Sequence, residues 1–91
     1  MQLAGHDVLK DRAYGEVRGI RVPSLKLSFR WNGQHTINIF LFHGKGKGNR
    51  TEVDVMSIGS FADDHATEEE FVRAVTTYLE EKRYEDVIAH A

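Results

Sequence analysis

Hydrophobic and polar residues alternate along several stretches in the first two thirds of the chain. In the clearest of them, Leu25, Leu27 and Phe29 are each followed by a polar residue, the period of two that is typical of a half-buried β-strand. Another stretch, 16–22, is closed by Pro23, which suits an edge strand or a strand end. Together these patterns predict strands at residues 16–22, 25–30, 35–43 and 51–58.

The dipeptide Asn32-Gly33 predicts a β-hairpin between the second and third of these strands. A two-residue turn would set the apolar residues of one strand beside polar residues of the next. A three-residue loop over 31–33, with Gly33 in a left-handed bulge, instead pairs Leu27 with Ile37 and forms one apolar face. We therefore expect the bulged loop, which lifts the single tryptophan to the hairpin tip.

The predicted sheet has two different faces. Its core face is expected to contain Ile37, Ile39, Leu41, Val53 and Val55. Its second face begins polar and becomes apolar around Phe40, Phe42, Met56 and Ile58. An apolar patch of this kind needs cover, which either the strand at residues 16–22 or a partner would supply.

A helix is predicted after the strands. Thr67 and Glu70 have the spacing of a capping box, and three glutamates in the first turn suit the positive end of the helix dipole. The apolar stripe of this helix is Phe71, Ala74, Val75, Tyr78 and Leu79. The later apolar residues Tyr84, Val87 and Ile88 would face nearly the opposite way on the same helix. Either the helix breaks before them, or it carries a second apolar stripe.

These elements predict an α+β fold for a chain of 91 residues, a length that supports one domain. The expected architecture is a three- to four-stranded antiparallel sheet with one main C-terminal helix packed on one face, plus a short C-terminal helical turn. The divisions of this single domain, 1–91, are a weakly defined segment at 1–14, strands over 16–58, the main helix at 67–83 and a short piece at 84–91.

Composition excludes several kinds of chemistry. The chain has no cysteine, which excludes a disulfide scaffold, a cysteine-ligated zinc site and a thiol nucleophile. The five histidines have no metal-binding spacing, and no serine stands in a nucleophile elbow. We expect a non-catalytic protein without a metal or a cofactor. Its apolar runs are too short to span a bilayer and no signal peptide opens it, so we expect a cytoplasmic protein that does not contact membranes.

Charge is divided unequally along the chain. Residues 1–51 hold nine basic and three acidic side chains, a balance of +6, whereas residues 52–91 hold three and eleven, a balance of −8. The net charge of -2 hides this division. The asymmetry indicates that one part of the protein faces a polyanion or that the other is an acidic interaction surface.

The glycine-rich stretch 43–50 is the most suggestive local feature, because it carries Lys45, Lys47 and Arg50 between alternating glycines. Such a segment lets backbone amides approach a phosphate closely. It is not a P-loop, since neither a Ser/Thr nor a helix follows Lys47. The remaining interpretations are a basic finger that binds nucleic acid and a solvated hairpin tip.

A polar sheet face beside this loop would add further contacts. That face is predicted to contain Lys26, Ser28, Arg30, Thr36 and Asn38. The expected nucleic-acid-binding residues are Lys26, Arg30, Trp31, Lys45, Lys47 and Arg50, with DNA or RNA as the partner. Trp31, at the hairpin tip, either folds back onto the core or contacts that partner.

Residues 58–61 and 67–74, which follow the antiparallel strands, resemble the turn and helix of two DNA-binding modules. These are the arm-binding domain of phage integrases and the plant ethylene-response-factor domain. The resemblance covers roughly residues 25–78 and implies a sheet that reads DNA and is backed by a helix. The turn is longer here, by residues 62–66, and only Arg30 and Trp31 match the strand arginines and tryptophans of the plant domain.

The acidic half of the chain supports an alternative function. Its helix would present Glu68, Glu69 and Glu80 to a basic protein surface, as small inhibitor proteins of phage or mobile elements do by analogy. Phe40 and Phe42 are the apolar residues expected to take part in that contact. The third hypothesis is a homodimer formed through Phe40, Phe42, Met56 and Ile58 or through residues 84–88.

Overall fold

The structure is a computed structural model that describes residues 1–43, 49–60 and 65–89. Within these residues the chain forms seven strands, one short 3-10 helix and two α-helices. The strands are β1 (Gln2–Leu3), β2 (His6–Asp7), β3 (Leu9–Ala13), β4 (Glu16–Val22), β5 (Leu27–Trp31), β6 (Thr36–Phe42) and β7 (Arg50–Ser57). The 3-10 helix is Pro23–Leu25, and the α-helices are α1 (Glu68–Glu80) and α2 (Tyr84–Ala89).

Strands β3 to β7 form an antiparallel sheet in which each strand pairs with the next one along the chain. The α+β class and the C-terminal helix are confirmed, but the prediction of three to four strands was wrong. The missed strand is β3, an edge strand with one exposed leucine, Leu9, and mostly polar residues. It joins β4 through Tyr14 and Gly15, both at positive φ as in a type I′ hairpin turn. Strands β1 and β2 form a separate two-stranded ribbon.

The register of the β5–β6 hairpin differs from the predicted one. Trp31 pairs with Ile37 and Leu27 pairs with Leu41, so the partner of Leu27 lies four residues further along β6 than the expected Ile37. The loop is longer than the predicted three residues. The Asn32 side chain stabilises it by accepting hydrogen bonds from two of the backbone amides that follow, one of them 2.8 Å long. Because side chains alternate with a period of two, a shift of four residues keeps the side chains of β5 and β6 on their predicted faces.

The start of β5 also differs from the prediction. Leu25 belongs to the 3-10 helix, and Lys26 follows it with a left-handed φ of 57° instead of lying in the strand. Pro23 explains this start, because its fixed φ and missing amide hydrogen suit the first turn of a helix better than a strand interior. The strand begins only at Leu27, which is buried.

A β-bulge in β7 reverses the faces that we expected for its side chains. The pairing steps from Ile39–Asp54 to Phe40–Glu52, which leaves Val53 as the extra residue. Beyond the bulge, Met56 pairs with Ile37 and packs against the core, as does Ile58, whereas Val55 is 54% exposed. The predicted apolar patch of Phe40, Phe42, Met56 and Ile58 therefore does not form, and Val55 is not a core residue.

Helix α1 packs across one face of the sheet. Thr67 and Glu70 form the capping box, with the Thr67 hydroxyl accepting from the Glu70 amide at 3.2 Å. The buried residues of the helix are Phe71, Val75, Tyr78 and Leu79. Two ring contacts join helix and sheet, Phe29 with Tyr78 and Trp31 with Phe71, each with ring centroids 5.3 Å apart.

The helical region breaks after α1. Lys82 adopts a left-handed φ of 55°, and the amides of Lys82 and Arg83 donate to the carbonyls of Leu79 and Tyr78. This is a Schellman motif, which ends the helix and redirects the chain. The break lets α2 pack Tyr84 against the core from a separate helix.

Tyr78 connects the core to the sheet through a polar contact. Its hydroxyl donates to a carboxylate oxygen of Asp54 at 3.3 Å. Burial, together with the negative charge and hydrogen bond of Asp54, raises the pKa of Tyr78 to about 12. The phenol therefore stays protonated in the folded protein at alkaline pH, where a free tyrosine would ionise.

Candidate nucleic-acid interface

The sheet face opposite α1 is uncovered within the described residues. Helix α1 contributes Phe71 to the core cluster, α2 contributes Tyr84, and the β1–β2 ribbon and the residue after it contribute Leu3 and Val8. All of these lie on the side of the sheet that buries Phe29. We call the other side the open face; its residues are Leu9, Asp11, Gly19, Arg21, Ser28, Arg30, Thr36, Asn38, Phe40, Phe42, Arg50, Glu52 and Val55.

Two arginines on neighbouring strands of the open face share one carboxylate. Arg21 Nε lies 2.9 Å from Asp11 Oδ2, and Arg30 Nη1 lies 3.9 Å from the same oxygen. Gly19 makes this possible, since a Cβ there would lie 3.2 Å from Arg30 Nη1. Each guanidinium carries five donors in a fixed planar arrangement, and both arginine side chains remain about half exposed. One carboxylate thus positions two cations that still have donors free for a ligand.

Two phenylalanines lie on the part of the open face that β6 forms. Phe40 and Phe42 alternate with buried residues along β6, and both are half-buried. The guanidinium carbon of Arg50, on β7, lies 4.4 Å from the centroid of the Phe40 ring, within the range of a cation–π contact. The β6–β7 part of the face therefore combines aromatic rings with a planar cation.

Lys26 joins the open face from the position just before the start of β5. Its carbonyl accepts a 2.9 Å hydrogen bond from the Phe42 amide, which fixes the residue beside β6. A shallow pocket of about 260 Å³ lies at this corner, lined by Arg21, Pro23, Lys26, Leu27 and Phe42. The pocket places one aromatic ring between two cationic side chains.

The glycine-rich loop leaves the sheet beside this corner. At its base the His43 amide donates to the Asn49 carbonyl at 2.7 Å, and His43 Nε2 lies 2.8 Å from the Thr51 hydroxyl. Lys45 and Lys47 lie outside the described residues. In the covalent chain each is three residues from a residue of the open face, Lys45 from Phe42 and Lys47 from Arg50.

Trp31 does not belong to this surface. Its ring packs on Phe71 of α1, on the covered side of the sheet, and its indole N–H donates to the Gln34 carbonyl at 3.2 Å. The Arg18 guanidinium lies 5.2 Å from the same ring. The register shift of the hairpin causes the difference, because it makes Trp31 the last residue of β5 and removes it from the loop tip.

Of the six residues predicted to bind nucleic acid, the structure brings Lys26, Arg30 and Arg50 to one face. Arg21 lies on the same face and was not among the six. The alternation of Arg21 with the buried Ile20 and Val22 is a signal that would have found it.

The residues of the alternative protein-binding surface do not lie together. Glu68, Glu69 and Glu80 are exposed on α1, whereas Phe40 and Phe42 lie on the opposite face of the sheet. Two of the three glutamates have ion-pair partners, since Lys10 lies 3.7 Å from Glu68 and Arg73 lies 3.7 Å from Glu69. The helical region 68–89 holds seven acidic and three basic residues, so it is the acidic side of the molecule.

Other kinds of site find little support in the part of the chain that the structure describes. No group of three acidic or histidine side chains there is arranged to hold a metal ion. His65 is described, but the two acidic residues before it in the sequence, Asp63 and Asp64, lie outside the described ranges. No described helix is long and apolar enough to cross a membrane.

Comparisons of the chain with protein-family models, with curated proteins and with solved structures found no match. The resemblance to the integrase and ethylene-response-factor domains therefore rests on the sequence alone.

Proposed function

We propose that this protein is a non-catalytic module that binds nucleic acid on the open face. One observation carries the proposal: an uncovered sheet face holds four cations, with phenylalanines between them. The cations are Arg21, Lys26, Arg30 and Arg50, against the two carboxylates Asp11 and Glu52. The loop attached to the same face adds Lys45 and Lys47.

The distribution of charge supports an orientation for this binding. The open face and its loop carry an excess of positive charge, whereas the helical region on the other side of the sheet has a balance of −4. A polyanion is attracted to the first surface and repelled by the second. Arginine side chains also suit phosphate chemically, because their planar fork can donate two parallel hydrogen bonds.

Binding to short labelled DNA and RNA oligonucleotides, measured by fluorescence anisotropy, tests the proposal. The variant Lys45→Glu/Lys47→Glu should bind at least tenfold more weakly than the unmodified protein, because it reverses two charges in the loop. Arg73→Glu/Lys82→Glu is the matched control, since it changes the net charge equally but on the helical side, and it should bind almost normally. Failure of the unmodified protein to bind any oligonucleotide at low salt would overturn the proposal, as would equal losses in both variants.

A further inference from the structure

The open face also indicates which form of nucleic acid it fits. Resting on the function proposed above, we infer that the ligand is single-stranded nucleic acid whose bases stack on Phe42 and on the Phe40–Arg50 pair. The inference follows from the width of the sheet, the spacing of the rings and the position of the cations around them.

The width of the sheet argues against insertion into a duplex. Five paired strands have four spacings of about 4.8 Å, so the face is about 19 Å across. The major groove of B-DNA is about 12 Å wide and admits a helix or a two-stranded ribbon. A face of this width does not enter the unwidened groove as a two-stranded ribbon does, whereas a single strand can lie across the face.

The spacing of the rings fits a strand whose bases are not stacked on each other. Phe40 and Phe42 are two residues apart on β6, which separates them by about 6.7 Å. Bases stacked in one strand of a duplex are about 3.4 Å apart, half that distance. Neighbouring bases can occupy both positions only when the strand is extended, as in complexes where bases stack on protein side chains.

The two stacking positions are chemically different. At Phe42 the aromatic ring lines the pocket of about 260 Å³ between Arg21 and Lys26. At Phe40 the Arg50 guanidinium already covers the ring at 4.4 Å, so a base stacks on the guanidinium plane or takes its place. In both positions a cation stands next to the base, where the strand carries its phosphates. The same residues therefore supply stacking and charge neutralisation.

The experiment compares three ligands of equal length on the unmodified protein, again by fluorescence anisotropy. They are an oligothymidylate of about 12 nucleotides, within the usual site sizes of single-strand binders, a duplex, and an abasic strand that keeps the phosphates but has no bases. We expect the oligothymidylate to bind at least tenfold more tightly than either of the others. Equal affinity for all three would overturn this inference and leave the proposed function standing. No binding to any of them would overturn both.

A variant locates the stacking position. Phe42→Leu keeps an apolar side chain but removes the ring, so its affinity for oligothymidylate should fall about tenfold while its affinity for the abasic strand stays unchanged. The matched control is Tyr14→Leu, which removes a fully exposed ring at the β3–β4 turn and should leave both affinities unchanged. Unchanged oligothymidylate binding by Phe42→Leu, or an equal loss on both ligands, would overturn the stacking assignment. Because the ligand comparison uses the unmodified protein, it holds even if this variant folds poorly.

Discussion

Replacing the two arginines that share Asp11 should change the salt dependence of nucleic-acid binding in a measurable way. In the variant Arg21→Gln/Arg30→Gln both side chains keep hydrogen-bonding groups but lose their charge. Asp11 then remains as an exposed carboxylate that no longer has these cations beside it. Since all three residues lie on the uncovered face, we expect the fold to tolerate the change.

The size of the effect follows from the number of cations. If each of the four cations on the open face and the two in the loop neutralises one phosphate, a plot of log affinity against log salt has a slope of about −0.7 × 6, or about −4.2, for a single strand. Between 50 and 200 mM salt the unmodified protein should then lose about 300-fold in affinity. Without Arg21 and Arg30 the slope falls to about −2.8, and the same change in salt should cost about 50-fold.

Anisotropy titrations of labelled oligothymidylate at four or more salt concentrations measure both slopes. Arg73→Gln is the matched control, because Arg73 is also an exposed arginine beside a carboxylate, Glu69, but lies on α1. It should leave the slope unchanged. If the slope of Arg21→Gln/Arg30→Gln equals that of the unmodified protein, these two arginines do not contact phosphate and the assignment of the open face is wrong.

Two further predictions concern the folded state. Thr67→Ala removes the capping box of α1, so unfolding in urea should show a loss of about 1 kcal/mol in stability. The affinity for nucleic acid should not change, because the helix lies on the other side of the sheet from the binding face. A weakening of both stability and affinity would contradict this separation. Tyr78→Phe removes the phenol whose pKa is about 12 in the folded state. Because the unfolded chain loses this proton near pH 10, the unmodified protein should lose stability more steeply than Tyr78→Phe between pH 10 and 12. Parallel stability profiles would contradict the raised pKa that burial and Asp54 produce.

The helix was the element that sequence patterns predicted best. Its capping box and apolar stripe are local signals, and both depend on spacing within one segment. Strand β6 was predicted equally well, because Ile37, Ile39 and Leu41 alternate with more polar or exposed positions without interruption, and all three are buried. The missed edge strand β3 has no such alternation in its sequence. Its place in the sheet comes from its pairing with β4, which a local pattern does not show.

The candidate site was predicted only in part because side-chain faces depend on register. The β7 bulge at Val53 is an irregularity of pairing that no local pattern showed, and it moved Met56 to the core and Val55 to the open face. The hairpin loop is stabilised by hydrogen bonds to the Asn32 side chain. Because this loop begins after Trp31, Trp31 is the last residue of β5 and packs on the helix. Positions inside regular alternation, such as Arg30, were placed correctly because a shift by an even number of residues, four here, preserves the face.

Mapping of amide chemical shifts by NMR during titration with oligothymidylate tests most directly whether nucleic acid binds to the open face. We expect the largest changes on the strands of the open face, at Arg21, Arg30, Phe40, Phe42 and Arg50, and at residues 44–48. Helix α1 should change little. Changes concentrated on residues 68–80, or no changes at all, would contradict the claim that this sheet face binds nucleic acid.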